Sequence, residues 1–316
     1  MNTESSPVPA DGARAAFPTS PSSLPFPALP AVPAWRRGLR RAFGHYGLTL
    51  GAMLLAVVVL AALFAPWLAP HDPYLQDMGR RLVPPAWQAG GSPEHWLGTD
   101  KLGRDYLSRL LFGARVSLII GLCAVAISAL IGTTLGLLAG YFGGKVDAVI
   151  SYVITTRLAM PVVLVALAMA ALAGGSVQAV IVLLGLLLWD RFAVVTRSAT
   201  QQLRDAEFIA AAKSLGASTS HILLREILPN LMSALTVVVT LEMAHAILLE
   251  ATLSFLGLGV QPPTPSWGLM VAEGKSYMFF KPWVILIPGV ALAVLVLAIN
   301  LLGDGIRDIC APDGRH

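Results

Sequence analysis

The amino-acid sequence predicts an all-α polytopic membrane protein with six transmembrane helices. Three observations predict it. The chain of 316 residues is 56% hydrophobic and only 13% charged, about half the charged share of a soluble domain. Its mean hydropathy is +0.71. Uncharged or nearly uncharged runs recur along it, each close to the roughly 20 residues that a helix needs to cross about 30 Å of hydrocarbon. The net charge of +4 fits Lys and Arg facing the cytoplasm, with membrane lipid as the surrounding partner, and gives no case for nucleic acid. The two cysteines, Cys123 and Cys310, provide neither a disulfide framework nor a metal-ligand spacing, so no metal site is expected.

Residues 1–42 open with a stretch rich in Pro, Ser and Ala, PTSPSSLPFPALPAVPA. Such a composition cannot bury a core and predicts a disordered tail. It ends in a basic flank, Arg36, Arg37, Arg40 and Arg41. The first span is expected within 43–69, where Leu48 to Leu68 carries no charge. A loop over 70–112 follows, and then a core over 113–305 with five further spans. Val116–Gly144 is uncharged; Asp147–Ala173 contains Arg157, with Met160-Pro161 expected to kink it. Gly174-Gly175-Ser176 breaks the chain before Val177 to about Val195, which ends near Asp190 and Arg191, expected to be interfacial. Leu231 to about Leu256 carries Glu242, His245 and Glu250, and Val284–Leu302 is the last span before a short terminus, 306–316.

Six spans put both termini on one side. Arg36–Arg41, the 196–229 loop with Arg197, Arg204, Lys213 and Arg225, and Arg307 and Arg315 all fall there. The positive-inside rule makes that side cytoplasmic. The 70–112 loop, then extracytoplasmic, opposes this with Arg80, Arg81, Lys101, Arg104 and Arg109, alongside five acidic residues.

The segment DAEFIAAAKSLGASTSHILLREILPN, 205–230, interrupts this apolar chain. Phe208, Ala211, Ala212 and Leu215 recur at helical spacing as one apolar stripe. Gly216 is expected to stop that helix. Ser218 or Thr219 would cap a second short helix through Ile222, Leu223 and Ile227, which Pro229 would end. The small side chains Ala210, Ala211, Ala212 and Gly216 would let another backbone approach closely. A loop packed only on its own helix ends is the alternative.

This stretch resembles the coupling loop of binding-protein-dependent ABC importer permeases, whose pattern is Glu-Ala-Ala, three residues, Gly, nine residues, Ile, one residue, Leu-Pro. Here Ala210-Ala211-Ala212 and Gly216 match it, and Ile227-Leu228-Pro229 closes it. Ala210 stands where the family has Glu, and the Ile comes one place late. HWLGTDKLGRDYLSRLLFGARVSL, 95–118, ATLSFLGLGVQPPTPSWGLMVAEG, 251–274, and NLLGDGIRD, 300–308, are similar to the C-type subunit of dipeptide, oligopeptide and nickel permeases. Gly98 and Gly103 are expected at turns and Asp105 as a helix cap. The resemblance spans about 40–310. It implies a type I importer permease fold and a subunit of an ATP-driven importer of di- or oligopeptides in a bacterial cytoplasmic (inner) membrane. It further implies a homologous second permease, two cytoplasmic ATPase subunits that use ATP and Mg, and an extracytoplasmic substrate-binding protein. This chain would bind no cofactor and be no enzyme; no GxxxxGK[ST] phosphate loop is present in it.

Charged groups inside spans are costly and face a cavity or a partner. Arg157, Glu242, His245 and Glu250 are therefore candidates for a translocation pathway. Glu242 and His245 share a helix face at i and i+3, a pair that would favour a cationic or metal-chelate substrate. A purely structural pair is the alternative. Arg157 would either line the path or snorkel to the inner surface. Other functions compete: a nickel or metal-chelate importer permease; more distantly, an ion-coupled secondary transporter, which predicts an internal repeat and a helix broken at mid-membrane; and a membrane scaffold or channel subunit, which predicts no nucleotide dependence.

Overall fold

The computed structural model describes residues 46–310. The Pro-rich tail, the basic flank at 36–41 and residues 311–316 lie outside the described residues. Among the described residues there are helices and no strand. Five helices are long and apolar enough to cross a bilayer, or six if one bent pair counts as a single span.

Helix α1, Tyr46–Leu63, is followed by the single turn α2, Ala65–Leu68. Helix α3, Tyr106–Phe142, begins ten residues before the apolar run predicted for it. Asp105 caps it as expected, accepting from the Ser108 N–H. Gly98 and Gly103 both take positive φ, at the turns the sequence calls for. At 37 residues and 1.5 Å per residue, α3 is about 55 Å long, longer than the hydrocarbon core is thick.

Three glycines one turn apart on α3 bring it against α7, Trp189–Arg204. A Cβ on Gly132 would sit 2.2 Å from the Trp189 carbonyl oxygen, and one on Gly136 or Gly140 would sit 2.7 Å from the Ala193 or Arg197 carbonyl oxygen. No other residue allows that approach. In lipid, where apolar burial gives little drive for helices to associate, such backbone contact supplies the packing. Thr196 and Thr200 of α7 fill the seam and are wholly buried.

The predicted third span is two helices, α4, Gly144–Ala159, and α5, Val162–Ala173, bent by 90° at the junction. Met160-Pro161 is thus a corner rather than a kink. Both residues are extended, because proline forces its predecessor out of the helical region and removes a donor. The fourth predicted span also breaks. Helix α6, Val177–Leu187, ends where Leu188 (φ −106°, ψ 14°) leaves helical geometry, and α7 starts at Trp189.

Past the short helix α8, Glu207–Ser214, the expected stop at Pro229 does not occur. One helix, α9, runs Thr219–Phe255. Its stretch Ile222–Ile227 is π-helical, and the Leu228 N–H reaches back to the Leu223 carbonyl. A proline ring collides with the carbonyl four residues earlier in an ordinary α-helix. The wider turn makes room, so Pro229 is absorbed.

Helix α10, Trp267–Gly274, and helix α11, Trp283–Cys310, complete the bundle. The Trp267 indole N–H donates to the Leu110 carbonyl at 2.8 Å, pinning α10 to α3. Helix α1 lies on α11 at Gly51 and Gly305. Its outward residues, Met53, Val57, Leu60 and Leu63, are exposed, as a lipid-facing surface requires.

Candidate functional site

All five polar residues flagged near or within the spans between 157 and 245 meet at the breaks just described. The α4–α5 corner, the α6–α7 break and the middle of α9 enclose a cavity of about 220 Å³. Arg157, Asp190, Arg191, Glu242 and His245 supply its polar wall; Met160, Leu187 and Leu188 supply apolar wall. Arg157 is half-buried. Its Nη2 donates to the Leu187 carbonyl at 2.7 Å. That carbonyl lies at the end of α6, where a cation also meets the negative end of the helix dipole.

Glu242 is only 1% exposed. Its Oε1 lies 3.1 Å from Arg191 Nη1, and its Oε2 lies 3.4 Å from His245 Nδ1. Arg191 itself remains largely exposed, so the pair is half in the protein and half in the cavity. Asp190 is buried and accepts the Arg191 N–H at 3.0 Å. Asp190 and Arg191 are therefore lining residues, contrary to the interfacial expectation. Their signal was local: a charged pair directly after an apolar run, at a helix start.

Glu250 is placed elsewhere and does not line this cavity. Its Oε1 accepts from Ser254 Oγ at 2.8 Å and from Ser266 Oγ at 3.0 Å. Ser266 in turn caps α10 through the Leu269 N–H. Glu250 is a strut between α9 and α10, and its position is enforced by Gly268, where a Cβ would fall 2.7 Å from Oε2.

The 205–229 segment forms the opposite end of the molecule from the 69–105 connection, because α3 separates them. Lys213 stacks 5.4 Å from the Tyr141 ring, and Arg204 donates to the Gly140 carbonyl at 3.3 Å, both at the far end of α3. In α8, Ile209 is fully buried and anchors the helix beside Ile222 and Ile227. Ile209 lies outside the stripe predicted from the helical spacing. The predicted stripe faces outward: Phe208 is 42% and Leu215 is 89% exposed, Ala210 and Ala211 are exposed, and Ala212 is half-buried. Gly216 ends α8 at φ +80° with nothing within 4 Å of a notional Cβ. The Ala217 N–H closes the turn on the Ala212 carbonyl. Ser218, not Thr219, caps the helix that follows. Ile227 is buried, Leu228 half-buried and Pro229 exposed.

Against the expectation of no metal site, His71, His95 and Asp105 converge in the structure. Their separations along the chain form no local motif.

A chain of the inward-facing MetNI methionine ABC transporter superposes with a TM-score of 0.53 at 20% identity, over 64% of this chain and 96% of that one. The fold is therefore that of a type I ABC importer permease, a multi-pass membrane protein. The chain belongs to the family of binding-protein-dependent transport system inner membrane components, which it matches over residues 132–316. Residues 34–85 match the N-terminal transmembrane domain of oligopeptide transport permease C. The di/tripeptide transport system permease protein DppC of Pseudomonas aeruginosa is 41% identical over 93% of this chain and 96% of that protein. The dipeptide permease DppC of Haemophilus influenzae is 37% identical over 84% and 90%. The glutathione transport system permease protein GsiD of Pectobacterium atrosepticum is 40% identical over 88% and 89%. Family membership removes the secondary-transporter reading, although the structure does contain the broken helices that reading expected.

Proposed function

We propose that this chain is the permease subunit of an ATP-driven importer of di- or oligopeptides and forms half of its translocation pore. The substrate class rests on the relatives, whose names specify dipeptide, di/tripeptide and glutathione transport. A homologous permease forms the other half, two cytoplasmic ATPase subunits hydrolyse ATP with Mg, and an extracytoplasmic binding protein delivers the peptide. The chain itself holds no cofactor and performs no chemistry.

One observation carries the coupling role: α8 turns its apolar stripe outward. A short helix anchored by Ile209 and Ile227 while Phe208 and Leu215 stand in the open has a face to be covered. Gly216, with free space around it, permits close approach there. We assign Phe208, Ala210, Ala211, Ala212, Leu215 and Gly216 to docking of the ATPase, with Ile227, Leu228 and Pro229 joining that knob to α9.

This end is then cytoplasmic, as are both termini. The arginines of the 70–112 segment do not oppose that orientation strongly, because they are engaged within the fold: Arg104 and Arg109 with Asp100 and Glu273, and Arg80 with Glu94.

Arg157, Glu242 and His245, with Asp190 and Arg191, form a wall of both signs on the path. A peptide with free termini is itself a dipolar ion, and such a wall offers each end a counter-charge. Glu250 is left out of the path.

Gly216→Arg tests the docking role. Both the side chain and the loss of an easy positive φ obstruct the knob. The expected result is loss of ATPase co-purification and of labelled-dipeptide uptake, with the permease still in the membrane. Full co-purification would refute the assignment.

A further inference from the structure

We infer that His71, His95 and Asp105 bind a divalent transition-metal ion of the zinc class, clamping the 69–105 connection onto the start of α3. The inference does not depend on the transported substrate. Asp105 Oδ1 lies 2.9 Å from His95 Nδ1 and 3.6 Å from His71 Nδ1. One potential ligand atom from each of the three residues falls within 4.8 Å of the other two. Ligands about 2.0–2.1 Å from a tetrahedral zinc ion stand about 3.3 Å apart, so the two closest spacings already bracket what the ion needs.

The surroundings support this reading. Asp105 Oδ2 is occupied, accepting from the Ser108 N–H at 2.8 Å and Ser108 Oγ at 2.7 Å. That fixes the carboxylate and leaves Oδ1 for the two imidazoles, the outer-shell orientation that metal-ligating carboxylates carry. The His71 N–H donates to the same Ser108 Oγ at 3.1 Å, so one hydroxyl positions two of the three ligands. His71 Nδ1 is buried as an atom and makes no hydrogen bond, a ring nitrogen pointed at nothing but this cluster. The rings lie 4.8 Å apart and tilted by 40°, side by side rather than hydrogen-bonded to each other. A cavity of about 260 Å³ opens onto the cluster, with room for water as a fourth ligand.

Two imidazoles and one carboxylate with an open position suit zinc over calcium or magnesium, which take oxygen ligands. A hydrogen bond from His95 that merely steadies the Asp105 cap is the competing account. It uses Oδ1 once and gives His71 no part.

The test uses the assembled transporter purified in detergent, stripped with a chelator and titrated with zinc against a chromophoric competitor. Cobalt is then substituted and its visible bands recorded. His71→Ala removes a part-exposed ligand, and His95→Gln keeps a donor for the Asp105 cap. The expected result is at least tenfold weaker zinc binding and loss of one tetrahedral cobalt signal in each variant. His221→Ala, at the other end of the molecule, should match the unaltered protein. Equal zinc affinity and cobalt spectra in the two ligand variants and the unaltered protein would overturn the proposal, whether zinc is then held by partner subunits or by none. Unchanged melting of His95→Gln separates ligand loss from misfolding.

Discussion

Two charged clusters in this molecule have similar members and opposite fates. Near the start of α3, the buried Arg104 and Arg109 face the buried Asp100 and the largely enclosed side chain of Glu273. Arg104 Nε lies 2.6 Å from Asp100, and Arg109 Nη1 lies 2.8 Å from Glu273. Each carboxylate there meets a guanidinium, and the group is closed off from solvent. Between the broken helices, Arg157, Asp190, Arg191, Glu242 and His245 are just as balanced in sign, but they border empty space and Arg191 extends into it. The first cluster spends its charges on joining the 69–105 connection to α10. The second keeps charge available. Charge in an apolar chain is therefore not by itself a functional mark; access to a cavity separates the two.

The largest effect should come from breaking the closed cluster. Arg109→Met leaves Asp100 and Glu273 short of a buried partner and should cost about 3–5 kcal/mol, read as a lower melting temperature in detergent. Unchanged melting would dissolve the distinction between the clusters. Glu242→Gln should cost far less stability, since Arg191 can turn to water. It should instead shift uptake away from lysine-containing and toward glutamate-containing dipeptides by about tenfold, or ~1.4 kcal/mol. Equal loss for every peptide would mean the open cluster is structural after all. Ser266→Ala takes one hydrogen bond from Glu250 and the cap from α10, at about 1 kcal/mol; thermal melting reads it, and altered peptide preference would return Glu250 to the pathway. Phe208→Ser should change melting by about 0.5 kcal/mol or less, while ATPase activity stimulated by peptide-loaded binding protein falls. Preserved stimulation would show that the outward stripe is idle.

The parts of this fold legible in the sequence were those decided within a few residues. Hydropathy located the apolar runs, and Gly216 with Ser218 marked the bend because a positive φ and an N-cap are local demands. Met160-Pro161 was legible as an irregularity, but its 90° turn depends on what packs on either side. Glu250 looked like a pathway residue because its partner Ser266 lies sixteen positions away across a loop. Asp190 and Arg191 were judged by distance from the end of a run, whereas the break at Leu188 turns them inward. The glycines at 132, 136 and 140 recur one helical turn apart, a spacing that is local and legible, whereas the helix they pack against is not. His71 and His95 meet Asp105 only after the 69–105 connection folds back, and no spacing rule anticipates that.

The π-helical turn before Pro229 has a mechanical consequence. It keeps Thr219–Phe255 a single rod, with the Ser218 cap at one end and Glu242 and His245 partway along. At 1.5 Å per residue Thr219 lies about 35 Å from Glu242, so a tilt of about 5° pivoting there swings the Ser218 end by about 3 Å. A hinge at the proline would have swallowed that motion. With the widened turn in its place, the rod would act as a lever arm between the proposed α8 docking knob and the cavity wall.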